Sequence, residues 1–177
     1  MPQSRREQIT LQASELLKTH GVESLPIPVE QIATASGIQI VRSAAEWSES
    51  GFLLREPKRT IIGINSRNAP KRQRFTIAHE LGHWTLHEGR PLIVDQSVMI
   101  NKRDNISSQA TSREEIEANQ FAAELLMPRW FFPESINTHM KSGIGSRDEL
   151  IAALAREFDV SNDAMGWRLT NLGILSS

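Results

Sequence analysis

The sequence predicts a helix-rich α+β domain with a small, mostly antiparallel sheet. Three observations carry this. Apolar residues recur at helical spacing in segment after segment. Only a few short runs read as strands, and two of them flank a turn. Hydrophobic residues make up 39% of the 177 and charged residues 23%, the balance of a chain that builds one core.

Ile9, Ala13, Leu16 and Leu17 lie on one helical face, and Gly21 follows as a stop. Pro28 suits the start of a second helix, with Val29, Ile32 and Ala33 inward and Gly37 as its end. Ile38, Ile40 and Val41 predict a short strand, and the small polar residues 43–50 a loop. Gly51 to Leu54 and Thr60 to Asn65 predict two strands joined at Glu56-Pro57-Lys58-Arg59. Pro70 opens a helix through Phe75, Ile77, Ala78, Leu81, Trp84 and Leu86 to Gly89. Leu92, Ile93, Val94, Val98 and Ile100 read as extended, and residues 101–112 as a polar loop. A helix is expected from Thr111 or Ser112 to Met127, ended by Pro128. Ser146 and Glu149 form a capping box opening a helix through Leu150, Leu154 and Phe158. Ser161 caps a last helix through Met165, Leu169 and Leu172, with Gly173 as its stop.

Composition excludes several chemistries. Twenty basic against 21 acidic side chains give a net charge of −1, so nothing general draws the chain to nucleic acid or an anionic membrane. The absence of cysteine rules out disulfides, thiolate metal sites and a cysteine nucleophile, and the absence of tyrosine removes one common oxyanion donor. Met1-Pro2-Gln3-Ser4-Arg5-Arg6-Glu7 leads into an amphipathic stretch, not an apolar signal core. No apolar run approaches the ~20 residues that span a bilayer. A soluble cytoplasmic protein without a membrane partner is expected.

The sharpest signal is His79-Glu80-Leu81-Gly82-His83 inside a helix. Residues i and i+4 stack on one face, so both imidazoles can reach one ion, and zinc accepts such nitrogen ligands. Glu80 sits about 100° around the helix, where it can touch a zinc-bound water and serve as general base. A catalytic zinc needs a third protein ligand. The later helix offers Glu114, Glu115, Glu117 and Glu124. Advancing about 100° per residue groups Leu126, Asn119, Ala123, Ile116, Ala122, Ala118 and Leu125 around Glu115 as the buried face. Glu117 and Glu124 fall on a polar face with Arg113 and Gln120, and Glu114 at the edge. A buried lone carboxylate is costly unless it is paired or binds a metal, which selects Glu115. A capping box from Ser112 to Glu115 competes with this, but Thr111 and Glu114 form one equally well. Asn119, one turn on, is placed to hold a ligand histidine by a hydrogen bond. His87, ~12 Å along the axis from His79, is too far to ligate and suits the helix end as a cation.

The segments Arg74-Phe75-Thr76-Ile77-Ala78-His79-Glu80-Leu81-Gly82-His83 and Glu115-Ile116-Glu117-Ala118-Asn119-Gln120-Phe121-Ala122-Ala123-Glu124-Leu125-Leu126-Met127-Pro128 resemble the ImmA/IrrE family of metallo-endopeptidases. The resemblance extends loosely over most of residues 25–173. It implies one zinc per chain at His79, His83 and Glu115, with Glu80 as base. It also implies a protein substrate, a DNA-binding transcriptional repressor. Residues 1–24 then form an N-terminal helix, and 25–177 a zincin-like metallopeptidase domain with a C-terminal helical hairpin, the two making one compact unit.

Other features weigh less. Residues 51–78 hold Arg55, Lys58, Arg59, Arg67, Lys71, Arg72 and Arg74 against Glu56 alone, read as a solvated basic surface more than a binding rim. Residues 154–169 look like a helix-turn-helix with Asp159 at the turn, yet the resemblance implies packing within the peptidase domain, so direct DNA binding is not expected. Trp130, Phe131 and Phe132 read as core. For the oxyanion of a hydrolysis step, His139 is the one unassigned histidine downstream, and Arg129 a second candidate. Gly51–Leu54 or Ile61–Asn65 are candidate edges for a substrate strand. The expected function is a zinc-dependent endopeptidase. The alternative is a metal-containing protein- or DNA-binding regulator without turnover, against which Glu80 argues, since a structural site needs no base.

Overall fold

A computed structural model describes residues 4–44, 50–89, 91–94 and 107–176, with backbone alone at 94 and 107–112. Most of the expected 43–50 loop, Val98, Ile100 and residues 101–106 lie outside what is described, whereas the helix expected from Thr111 or Ser112 already starts at Ser107, so 107–110 are helix and not loop.

The chain runs α1 (Arg5–Thr19), α2 (Val29–Ala35), β1 (Ile38–Ser43), β2 (Gly51–Glu56), β3 (Arg59–Asn65), α3 (Pro70–Leu86), β4 (Leu92–Val94), α4 (Ser107–Leu126), α5 (Phe132–Lys141), α6 (Arg147–Glu157) and α7 (Asn162–Asn171). Local chemistry sets the ends. Ser4 and Glu7 close a capping box on α1, and Ser146 and Glu149 close another on α6. Ser161 caps α7, and Pro70 stands in the first turn of α3, where a missing N–H costs nothing.

The sheet has the order β1-β3-β2-β4. β2 and β3 form a hairpin from Gly51↔Ile64 to Glu56↔Arg59. β1 lies parallel to β3, Ile38 opposite Thr60, and β4 runs antiparallel to β2. This corrects the expectation for substrate pairing. Ile61–Asn65 is the central strand, hydrogen-bonded on both sides, and Phe52–Leu54 of β2 is covered by β4. A strand added by a substrate needs a free edge, and the edges are β1 and β4.

α3 lies against β2 and β3 and packs most extensively on α4, while α1 packs on the far side of α4. Every residue from Thr76 to His83 is buried, because α3 is sandwiched between sheet and helix. Ile62, Ile64, Ile77, Leu81, Phe121 and Leu125 join one continuous core with Ile9 and Leu17 of α1 and with Phe158 and Leu169 of the C-terminal helices. Among the described residues no helix is long and apolar enough to cross a membrane.

The helical-wheel reading of α4 needs correction at three positions. Ile116, placed inward, is 64% exposed, whereas Glu117 and Glu124, placed outward, are buried. Their face is covered by α1 and α7, and cations make this tolerable: Arg5 and Arg113 meet Glu117, and Arg168 grips Glu124 in two hydrogen bonds of 2.8 and 2.6 Å. Of the aromatic trio only Phe132 is fully buried, stacked on Phe158 at 4.8 Å; Trp130 is exposed.

The basic segment is largely bound up internally. Lys71 donates to the Val160 carbonyl, Arg72 to Ser50, and Arg74 to the Ile27 carbonyl and Asp159; Arg59 pairs with Glu56. The helix-turn-helix resemblance fares similarly. Asp159 takes a left-handed φ of 53° at the turn, but the exposed face of α7 carries Asn162, Asp163, Trp167 and Asn171 and no cation. The arginine of α7, Arg168, is buried on Glu124, so nothing on that face would meet a phosphate.

Candidate metal centre

The sheet and α4 hold α3 from opposite sides, and this sets the site. His79 and His83, one turn apart, point toward α4 with ring centroids 4.7 Å apart. Gly82 lies in the crevice between the helices. A Cβ there would stand 3.0 Å from both the Cα and the carbonyl oxygen of Ala118, so glycine is what lets the two backbones approach. Glu115, at the start of the buried stretch of α4, is brought onto the same spot.

Ligand atoms of three side chains converge. His79 Nε2 and His83 Nε2 are 3.1 Å apart; Glu115 Oε2 is 3.1 Å from the first and Oε1 3.2 Å from the second. His79, His83 and Glu115, all buried, are the one set of metal-ligating side chains found among the described residues. One ligand atom from each of the three lies within 4.8 Å of the other two, close enough for a single first-row ion bound at about 2 Å. The buried Glu115 Oε2 has no well-aligned hydrogen-bond donor, so it is an acceptor left open for a cation. The residues therefore fit a metal ion. Burial pushes the Glu115 carboxyl up, but the close approach and charge of the two histidines outweigh it and bring it down to about 2, so it is ionised.

The outer nitrogens are held too. His79 Nδ1 is 2.9 Å from Asn119 Oδ1, the acceptor expected from the sequence. His83 Nδ1 meets His87 Nδ1 at 3.0 Å, and His87 Nε2 lies 3.2 Å from Glu117 Oε2. The sequence places His87 at the helix end as a cation. It does end α3, but it is buried, and burial lowers its pKa more than the hydrogen bond to Glu117 raises it. The C-terminal cation is instead Arg55 of β2, which donates to the carbonyls of His83 and His87 at 2.8 Å each. Glu80 is fully buried in α3 beside His79, and Arg55 feels its charge.

His139 does not join this group. It lies on α5, where its Nε2 is 2.8 Å from Glu157 of α6. Arg129 is exposed beyond the far end of α4, about 20 Å along the helix from Glu115. Sequence reasoning missed Gly82, Arg55, Glu117 and Arg5. The i+4 step from His83 to His87 was a signal for the outer chain, but its partners lie on other elements.

A buried His-His-Glu group on two helices packed beside a small mixed sheet, with a buried glutamate following its first histidine, is the arrangement of a metal-binding domain. The chain belongs to the Peptidase_M78 family, the IrrE N-terminal-like domain, whose model matches residues 33–170. It is 29% identical over 140 residues to the radiation response metalloprotease IrrE of Deinococcus radiodurans, an alignment covering 78% of this chain and 38% of that protein. It is 28% identical over 165 residues to the metallopeptidase ImmA of Bacillus subtilis, covering 92% of this chain and 84% of the relative. A Mycobacterium tuberculosis transcriptional regulator shares the fold, with a TM-score of 0.62 at 18% identity over 92% of this chain and 47% of the other.

Proposed function

We propose that the protein is a zinc-dependent endopeptidase that cleaves a specific protein substrate, a DNA-binding transcriptional repressor, in the cytoplasm. The observation that carries the reading is the buried group of His79, His83 and Glu115, with the buried Glu80 following His79 in α3. A metal held for structure alone would need no base there. Two nitrogens and one carboxylate oxygen are the ligand set of hydrolytic zinc sites, with a fourth position left for water. Zinc bound there supplies a Lewis acid that acidifies water toward a pKa of ~7 and polarises the scissile carbonyl.

The chain's own groups do the rest. Glu80 takes the proton from the attacking water and returns it to the leaving amine. Asn119 holds His79 by its Nδ1, leaving Nε2 free to ligate. Gly82 and the packing of α3 on α4 keep Glu115 within reach. A repressor substrate is what the family resemblance points to, and the likeness to a transcriptional regulator agrees with it. The DNA-binding alternative is disfavoured by the cation-free outer face of α7.

The test is Glu80→Gln, assayed against a repressor encoded beside the gene. The variant should bind zinc as the wild type does yet leave the repressor intact while the wild type cuts it. Undiminished cleavage by Glu80→Gln would remove Glu80 as base.

A further inference from the structure

The two ligand histidines are held by different means. His79 leans on a neutral carboxamide, Asn119. His83 leans on His87, and His87 on Glu117. Glu117 in turn is gripped from two sides. Arg5 of α1 donates to Oε2 from Nε at 3.0 Å and Nη2 at 2.5 Å, and Arg113 donates to Oε1 at 3.0 Å.

This fixes where the protons sit. A carboxylate held by two guanidinium groups only accepts, so His87 donates from Nε2. His87 Nδ1, 3.0 Å from His83 Nδ1, then faces it as acceptor, and His83 donates its own Nδ1–H into it. That leaves His83 Nε2 bare, directed at His79 Nε2 and Glu115 Oε1. The chain ends on a helix remote in sequence, because Arg5 and Glu117 are 112 residues apart.

We propose that His87 and Glu117 are positioning residues which, steadied by Arg5, hold His83 in the tautomer and orientation that a metal ion needs, and so connect the N-terminal helix to the metal centre. The proposal rests on the zinc reading above. A carboxylate at the end of such a chain makes the ligating nitrogen a stronger donor, an effect that simple packing would not have. The docking of α1 has an apolar basis of its own in Ile9, Ala13 and Leu17.

The full chain, stripped by a chelator, is titrated with zinc against a chromophoric competitor for wild type, His87→Phe, Glu117→Gln and Arg5→Met. Metal-free melting temperatures and the visible bands of the cobalt-loaded chains are recorded beside it. His87→Phe should lose about 10–100-fold in zinc affinity, the usual cost of an outer partner. Glu117→Gln should lose less, in the same direction, and Arg5→Met least, since Arg113 still holds Glu117. The cobalt bands should shift in the first two, while the metal-free melting temperature stays near wild type in His87→Phe and falls in Glu117→Gln with the ion pairs that variant loses. Unchanged affinity and cobalt bands in folded His87→Phe and Glu117→Gln overturn the proposal, as does an affinity loss that merely tracks melting temperature. If His87→Phe does not fold, the near-isosteric Glu117→Gln decides. A wild type that binds no zinc overturns the zinc reading and this proposal together. Normal wild-type affinity with unaffected variants removes only the connection.

Discussion

Gly82→Ala is a single-methyl change whose cost follows from where the methyl goes. The new Cβ would meet the Cα and carbonyl oxygen of Ala118 at 3.0 Å and Phe121 Cβ at 3.2 Å. Two of these neighbours are backbone and cannot rotate away, so relief requires α3 and α4 to part by a few tenths of an ångström. Overpacking of this kind costs about 1–3 kcal/mol. Alanine returns about 1 kcal/mol in helix propensity. The net expectation is a loss of roughly 0–2 kcal/mol in the metal-free chain, read by denaturant unfolding. The larger effect should be on metal. Parting the helices draws Glu115 away from histidines it now approaches within 3.1–3.2 Å, so zinc affinity should fall out of proportion to stability. A variant stabilised by about 1 kcal/mol, as propensity alone dictates, with unchanged zinc affinity would refute the close-approach argument.

Other variants test separate parts of the account. Asn119→Ala should keep the fold and weaken zinc about 10–100-fold, while Asn119→Asp, which keeps the acceptor, should hold or raise the affinity; unchanged zinc in Asn119→Ala would detach it from the site. Arg168→Met should cost about 3–5 kcal/mol in unfolding experiments by stranding Glu124, and adding Glu124→Met should recover most of it; a mild single variant would contradict the buried pair. The hydrogen bond from Arg5 outweighs burial and holds the Glu117 carboxyl at about 2, below the ordinary 4.5, so it stabilises the fold above pH 4.5. That share should fade as acid takes the pH from 4.5 toward 2, and Glu117→Gln should flatten the fall in melting temperature over this window; parallel profiles would contradict it.

Much of the site was legible because its chemistry is periodic. His79 and His83 stand one turn apart, and the wheel that isolated Glu115 also placed Asn119 toward His79, as found. Caps at Ser146 and Ser161 were legible for the same local reason. What failed was non-local. The wheel sends charge outward, but Glu117 and Glu124 are buried because Arg5 and Arg168 reach them from helices 112 and 44 residues away, and no window contains both partners. Ile116 was placed inward by its angle on the wheel, about 100° from Glu115, yet it is exposed. α5 escaped notice because Trp130, Phe131 and Phe132 were read only as a core cluster, whereas Pro133 after them stands in the first turn of a helix. β2 looked like an edge because the strand that covers it, β4, is only three residues long.

The central claim is that His79, His83 and Glu115 hold one catalytic zinc and Glu80 does not ligate it. Elemental analysis of zinc per chain, run together on purified wild type, Glu115→Ala and Glu80→Gln, tests it most directly. The account predicts one zinc, little or none, and one zinc, respectively. Full zinc in Glu115→Ala, or its loss in Glu80→Gln, would contradict it.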